Sequence, residues 1–430
     1  MMINRFFLLF IACLAALPVL AKQNVDSAVF KTSPLQPLFI KALANNPTLF
    51  LAQAVQQTAY SYEQQTRSLL EPEVSIKSEL SYAWMKHDNF ARTANQLQAT
   101  YPLYQPDKSN LINMAGHDYK ASVHQLEAEQ QKLFLNIAQV YFEYWQKKAE
   151  YEFLQKEQVS ITDILKQVNQ RFQIGYQDLN DLTEIQARLD ANQSELINAK
   201  MAMHIAITSL EELMGSAVNL EDNSFPHALP DDFFTQKMVM DQAKWLGFIE
   251  RHPEILIIQE QQAAINQSVD YAKNKDAIQV EAFSALVYND SDGNFYNDMQ
   301  GVRAGVRLEL RLYTGGGTDA AIAKARGMQS QAKAKLQQKE LILSTEAKRA
   351  YIRYQALTNS LQSLKAALSS NRLAKKATEN GLVTGSRNLL DLLNTQRRTH
   401  KVERDIPIVK AEIWKSWHEL RWALGLLHSK

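Results

Sequence analysis

Few stretches of this chain place reactive residues at the spacings chemistry needs, and each stops short of a complete site. Asp290-Ser291-Asp292-Gly293 opens like a calcium loop, in which alternating carboxylates bring oxygen donors around a hard cation. The closing Glu is missing, so the stretch reads as a solvent-facing loop of a strand hairpin. Thr314-Gly315-Gly316-Gly317 has the glycines of a phosphate cradle, but no Gly-Lys-Ser/Thr follows to hold the phosphates and a magnesium ion. It reads instead as a strand-to-helix turn. The 9 histidines show no His-Glu-x-x-His spacing, and His117 and His124 share a helix face with no partner for a metal. The sequence therefore predicts no catalytic residue, no metal site and no cofactor.

What remains is a pair of charged, glycine-centred turns. Gly381–Leu393 reads Gly-Leu-Val-Thr-Gly-Ser-Arg-Asn-Leu-Leu-Asp-Leu-Leu, and a near copy runs from Arg171 to Leu182. Aligning Gly385 with Gly175 sets an offset of 210 residues, which lands Asp391 on Asp181, Gln396 on Gln186 and Gly425 on Gly215. Tyr351 and Tyr354 fall on Tyr141 and Tyr144 at the same offset. The chain is a tandem duplication, and each copy folds back on itself at its turn. Gly175 and Gly385 point to a left-handed backbone there, a conformation that penalises any residue with a Cβ. Arg387 follows its glycine by two residues and Asp181 follows the other by six, so an Arg can face acids on an adjacent helix as a clasp.

Long helices must carry these turns. Leu133, Ile137, Val140, Tyr144, Tyr151, Leu154, Ile161, Leu165, Val168 and Phe172 recur at alternating steps of three and four, broken only at Lys147 and Gln158. The second copy repeats the register through Leu343, Ala347, Ala350, Tyr354, Leu357, Leu361, Leu364 and Leu368. That is a heptad seam, so these helices pack as coiled coils. A helix from about Leu111 to Gln170 reaches roughly 90 Å at 1.5 Å per residue. The return helices are predicted from Asp178 to Met214 and from Asn388 to Leu427, the latter kinked at Pro407, which lacks a backbone donor. Ahead of the strands, one helix is predicted from Leu38 past Pro47 to Leu70, and the paired Asn46-Pro47 and His252-Pro253 place a proline where a helix opens.

Before each long helix the period changes to two. Val74, Ile76, Leu80, Tyr82 and Trp84 alternate with Glu73, Ser75, Lys77, Glu79 and Ser81. Leu97 to Leu103 continues the pattern. In the second copy Ile278–Tyr288 alternates less cleanly, while Val302 to Leu312 alternates with Arg303, Arg307, Glu309 and Arg311. Each is a strand with one apolar and one wet face, close to the 9–11 residues that cross a bilayer at a tilt. Four such strands on stalks this long cannot bury their apolar face within one chain, so a symmetric oligomer must supply more.

The ends of the chain set the compartment. Arg5, the apolar run Phe6–Leu17 and Pro18–Ala21 have the anatomy of a secretory signal peptide over residues 1–21, with Ala21 the last residue removed. Phe10-Ile11-Ala12-Cys13 loosely resembles a lipobox, which would lipidate Cys13. Residues 22–215 form the first repeat, 216–241 a polar linker with Pro226 and Pro230, and 242–430 the second repeat. Removing Arg5 leaves equal numbers of acidic and basic residues, and nothing in that balance suggests nucleic acid, which needs a basic face.

This layout, with these residues, resembles the TolC-like family of bacterial outer-membrane channels. The resemblance spans nearly the whole mature chain and rests on the Asn-Pro and His-Pro helix starts, the strand exits Pro-Leu-Tyr and Leu-Tyr-Thr-Gly-Gly, and the two turns. It implies a mainly α fold with a small β part: a homotrimer whose four strands per chain close a barrel in outer-membrane lipid, continuous with a coiled-coil tunnel in the periplasm of a Gram-negative bacterium. It implies a passive exit duct, fed by an inner-membrane pump of RND or ABC type through a periplasmic adaptor that meets the tips at Gly175 and Gly385. It gives Arg387 and Asp181 a part in the links between helix pairs and Asp391 a place on an acidic ring at the mouth. Lys77, Glu79, Arg303, Arg307 and Arg311 become lumen-facing. Leu382 stands where the family often has Tyr, and Asn394 where a second acid is common. A periplasmic coiled-coil adaptor is the alternative reading, since it shares the heptads and the signal peptide.

Overall fold

The computed structural model describes residues 35–84, 86, 89–218, 229, 241–292 and 299–427. The signal peptide, Cys13, nearly all of the 22–36 lead, most of the 216–241 linker and Gly293 lie outside the described residues.

The chain opens with two helices where one was predicted: α1 (Gln36–Asn45) and α2 (Pro47–Arg67). Asn46 separates them at φ −73 and ψ 120, because a residue before proline is pushed out of the α region. Its side chain then caps α2, accepting from the backbone N–H of Thr48 at 2.8 Å and of Leu49 at 3.2 Å. The same Asn46 donates Nδ2 to the carbonyl of Leu213 at 2.7 Å, tying the start of α2 to the far end of the first return helix. His252 does the same in the second copy: it caps the next helix through Glu254 N at 3.1 Å, and its Nε2 reaches Trp422 O at 3.0 Å. The duplicated Asn-Pro and His-Pro motifs are thus junctions as well as helix starts. Gly215 closes the first, where a Cβ would lie 2.4 Å from Asn45 O.

A single antiparallel sheet follows the order β1 (Glu73–Trp84), β2 (Asn89–Tyr104), β3 (Gln279–Ser291), β4 (Met299–Glu309). Strand β2 starts well before the alternation at Leu97, because Ala91 to Asn95 pair with Tyr82 to Ser78 on β1 regardless of their own polarity. Strand β4 stops at Glu309, so Leu310 to Leu312 are not strand and Arg311 lies beyond the sheet. Ile76, Leu97, Leu286 and Val302 stand opposite one another in a row across all four strands. Among the described residues, strands β1 and β4 are both unpaired along their outer edges.

Most of the remaining described residues are helix. Helix α3 (Pro106–Gln173) has 68 residues, about 100 Å at 1.5 Å per residue. It returns through α4 (Leu179–Met214). The second copy runs through short α5 (Trp245–Ile249), α6 (Pro253–Asn274), the 67-residue α7 (Gly317–Val383) and α8 (Leu389–Ala423). Helix α8 continues unbroken through Pro407 and ends four residues before the predicted Leu427. The heptad positions Leu133, Ile137, Tyr144, Leu154, Ile161 and Val168 are buried, as are Leu343, Ala347, Ala350, Tyr354 and Leu361. The main core gathers at mid-length, where Phe39, Phe134, Tyr141, Phe142, Ile255, Trp414 and Trp417 draw α1, α3, α6, α7 and α8 together.

Candidate functional site

The two helix reversals are built alike. At the end of α3, Gly175 N bonds Phe172 O at 3.0 Å and Tyr176 N bonds Arg171 O at 2.8 Å. At the end of α7, Gly385 N bonds Leu382 O at 3.3 Å and Ser386 N bonds Gly381 O at 2.9 Å. These paired bonds are the Schellman closure, which requires a left-handed residue after the helix. Gly175 and Gly385 supply it at φ +75 and +74, and a Cβ on either would meet nothing within 4 Å. The glycines are therefore required by backbone conformation and leave their surroundings open. Asp178 then caps α4, and Asn388 caps α8 in a reciprocal box with Asp391: Asp391 N to Asn388 Oδ1 at 2.7 Å and Asn388 N to Asp391 Oδ2 at 3.2 Å.

The charges at the tips find local partners. The Asp181 carboxylate accepts from Gln177 Nε2 across the first turn. Arg387 Nη1 lies 4.0 Å from Asp391 Oδ2, one helical turn along, and both side chains are exposed. Arg387 and Asp181 do not pair within one chain among the described residues. Leu382 packs onto an apolar layer of Ile161, Ile164, Val168, Ile185, Leu389 and Leu393 that joins the two hairpins.

Two links between the hairpins escaped the sequence reading. Arg188 on α4 donates to Asn394 Oδ1 on α8 at 3.0 Å. The departure at Asn394 was the available signal, since an amide there can accept without adding charge. Arg397 on α8 bonds Glu157 on α3 at 2.7 Å, and Glu157 is only 5% exposed with its second carboxylate oxygen unpartnered. Burial raises the Glu157 pKa above the ordinary carboxylate value, against the opposing pull of Arg397. No spacing in the sequence marks Glu157, which sits beside Gln158, the break in the seam.

At the other end the strand register collects the predicted polar residues. Lys77 stands opposite Gln96, Glu79 opposite Ala94, Arg303 opposite Ala285 and Arg307 opposite Glu281, all on one face. Arg307 Nη1 bonds Glu281 Oε1 at 2.5 Å, and Arg303 and Arg307 lie 5.9 and 5.3 Å from the Phe283 ring. Arg311, off the strand end, instead approaches Glu309 at 3.5 Å.

The other candidates dissolve into structure. Asp290 and Ser291 belong to β3, and the Asp292 carboxylate accepts from Ala91 N at 2.6 Å. His117, predicted without a partner, bonds Glu260 at 2.7 Å. Among the described residues no cluster of His, Cys, Asp and Glu could hold a metal ion, and no helix is long and apolar enough to cross a membrane.

Comparison with known proteins agrees with this construction. The family model described as outer membrane efflux protein matches residues 38–216 and again 248–426. The chain belongs to that family. It is 23% identical over 421 residues to outer membrane protein TolC of Vibrio cholerae, covering 95% of this chain and 94% of the relative. It is 22% identical over 262 residues to the proteases secretion protein PrtF of Dickeya chrysanthemi, covering 58% and 54%. Its fold superposes on the outer membrane protein VceC from Vibrio cholerae with a TM-score of 0.78, at 17% identity, covering 91% and 96%. This channel is an outer-membrane conduit of the efflux and secretion class in a Gram-negative bacterium, and its family is non-enzymatic. Channels of the family form trimers in tripartite efflux systems. The reading as a periplasmic adaptor is displaced.

Proposed function

We propose that three copies of this chain close their sheets into one twelve-stranded barrel, β1 of each copy pairing with β4 of the next. The observation that carries the reading is the sheet itself, with two open edges and faces of opposite polarity. Its apolar face leaves Ile76 76% and Val302 72% exposed. A bilayer forbids unpaired strand edges, and a closed ring of copies removes them. The face bearing Lys77, Glu79, Arg303 and Arg307 then lines a water-filled lumen while the apolar row meets lipid. The helices continue as a tunnel across the periplasm, and the duct is passive. A periplasmic adaptor meets it at Gly175 and Gly385, and an inner-membrane pump of RND or ABC type drives cargo into it. The relative named for protease secretion favours a polypeptide among the cargoes, and the efflux family favours small molecules.

The narrow end lies where the helices reverse, since no barrel holds that end open. There Asp181, Arg387, Asp391 and Leu382 form the gate. Among the described residues of one chain Arg387 is drawn only to Asp391 at 4.0 Å, which leaves its guanidinium able to reach Asp181 of a neighbouring copy. Exposed pairs are worth about 0–1 kcal/mol each, and a trimer repeats the link three times. Such a latch biases closure and yields to an adaptor. Arg387→Ser combined with Asp181→Ala should raise single-channel conductance in planar bilayers. Conductance equal to the parent would refute the clasp and leave closure to the Ile161–Leu393 apolar layer.

A further inference from the structure

We infer that the cleft above the second turn is a binding site for multivalent oxyanions, and that it draws the acidic groups of cargo to the narrow end. The second half of that inference rests on the functional reading just given. Between α7 and α8 a cleft of about 690 Å³ is lined by Arg387, Arg397 and Arg398 together with Asp391, Asn394 and Thr395. Three guanidinium groups therefore share this space with one carboxylate.

That carboxylate is already engaged. Asp391 Oδ2 accepts from Asn388 N at 3.2 Å and sits 4.0 Å from Arg387. Asn394 brings no charge, and its amide oxygen is taken by Arg188 at 3.0 Å. Arg397 commits its Nε to buried Glu157 at 2.7 Å, which holds the guanidinium in place and leaves its terminal nitrogens over. Arg398 donates Nη2 to Thr395 Oγ1 at 3.2 Å and has no carboxylate partner among the described residues. The first turn of 35-residue α8 opens into the same cleft through Asp391, with Asn394 one turn further along, and a helix N-terminus carries partial positive charge.

Each guanidinium presents five N–H donors in a planar fork that matches the oxygens of a carboxylate or phosphate. The donors left over here outnumber the acceptors, and the volume suits a small polyvalent ion. Family resemblance implies an acidic ring at this mouth. In this chain one acid of that ring is Asn394 and the other faces Arg387, so the local sign is reversed. Three copies around one aperture would focus positive potential on the path of the cargo.

The test uses the full-length trimer purified in detergent and then placed in planar bilayers. Calorimetric titration with tripolyphosphate and with citrate asks whether phosphate and carboxylate anions both bind. Arg387→Gln and Arg398→Gln, at exposed positions, should each weaken binding roughly tenfold, as loss of a charge-assisted bond does. Arg372→Gln, which pairs with Glu403 at 2.9 Å outside the cleft, should change nothing. In bilayers under a potassium chloride gradient, the parent should prefer chloride and be blocked by tripolyphosphate, with both effects reduced in Arg398→Gln, which leaves the Arg387 clasp in place. Absent binding, or binding indifferent to Arg387→Gln and Arg398→Gln, overturns the site. Binding that Arg398→Gln abolishes without any change in ion preference or block keeps the site and overturns its placement at the narrow end.

Discussion

Val302 and Arg303 are neighbours on β4 and pair with Leu286 and Ala285 of β3, so they sit at one depth on opposite faces. Exchanging their polarity one at a time isolates the face from every other variable. If the Val302 face meets lipid, Val302→Arg places a charge near the bilayer midplane. The row Ile76–Leu97–Leu286–Val302 crosses the middle of β2 and β3 and lies three residues inside the start of β1 and β4, so the cost per chain reaches about 2–4 kcal/mol where that row meets the midplane. Three copies raise this to roughly 6–12 kcal/mol, comparable with the whole stability of a typical domain. Arg303→Val removes only a guanidinium 5.9 Å from the Phe283 ring, an exposed contact worth about 0.5–1 kcal/mol. Leu308→Arg serves as a depth control. It lies one residue from the strand end, where the penalty falls to about 0–1 kcal/mol. Heat-modifiable trimer bands from isolated outer membranes read the outcome. The expected order is few or no trimers for Val302→Arg and near-parental yields for Arg303→Val and Leu308→Arg. Equal yields from the first two would refute the assignment of faces, and with it the barrel.

The tip glycines can be separated from a glycine that is merely crowded. Gly385→Val should cost each chain about 1–2 kcal/mol of left-handed strain with no clash, leaving trimers in the membrane but abolishing efflux if the adaptor docks there. Efflux that survives would reduce Gly385 to a helix cap. Gly215→Ala, whose Cβ would approach Asn45 O to 2.4 Å, should instead lower the thermal midpoint of the trimer. Two buried histidines predict acid sensitivity of the mid-length core. His418 lies among Phe134, Phe142 and Trp414 and donates Nδ1 to Trp414 O at 2.8 Å; burial pushes its pKa down to about 4, with Arg421 adding to the effect. His252, buried against Trp422, is likewise pushed to about 4, with Glu254 and the Trp422 carbonyl opposing and Lys339 assisting. Unfolded histidine takes up its proton near pH 6.5. Stability is therefore full above pH 6.5 and falls by up to about 3 kcal/mol per histidine as pH drops to 4. Thermal melts across that window should lose part of their pH slope in His418→Leu, and an unchanged slope would argue against the assignment.

The chain's order along one dimension was legible from residue types alone. Period-two and heptad patterns state which face of each element is apolar, because they arise from backbone geometry that every strand and helix shares. The 210-residue offset located both reversals, and glycine at 175 and 385 named their backbone conformation, since left-handed closure penalises nearly every other residue. Partner choice was not legible. Nothing in the spacing joins Glu157 to Arg397, 240 positions away, or Asn394 to Arg188. Those pairs exist because two hairpins lie side by side, and side-chain reach across that seam depends on helix rotation and register. The same holds for the strand edges: alternation ran on to Leu312, yet pairing ended at Glu309 because the partner strand begins at Gln279. Asn46 illustrates both sides. Its sequence neighbour proline fixed a helix start, while its bond to Leu213 O, which locks the first copy closed, came only when the return helix brought that carbonyl back.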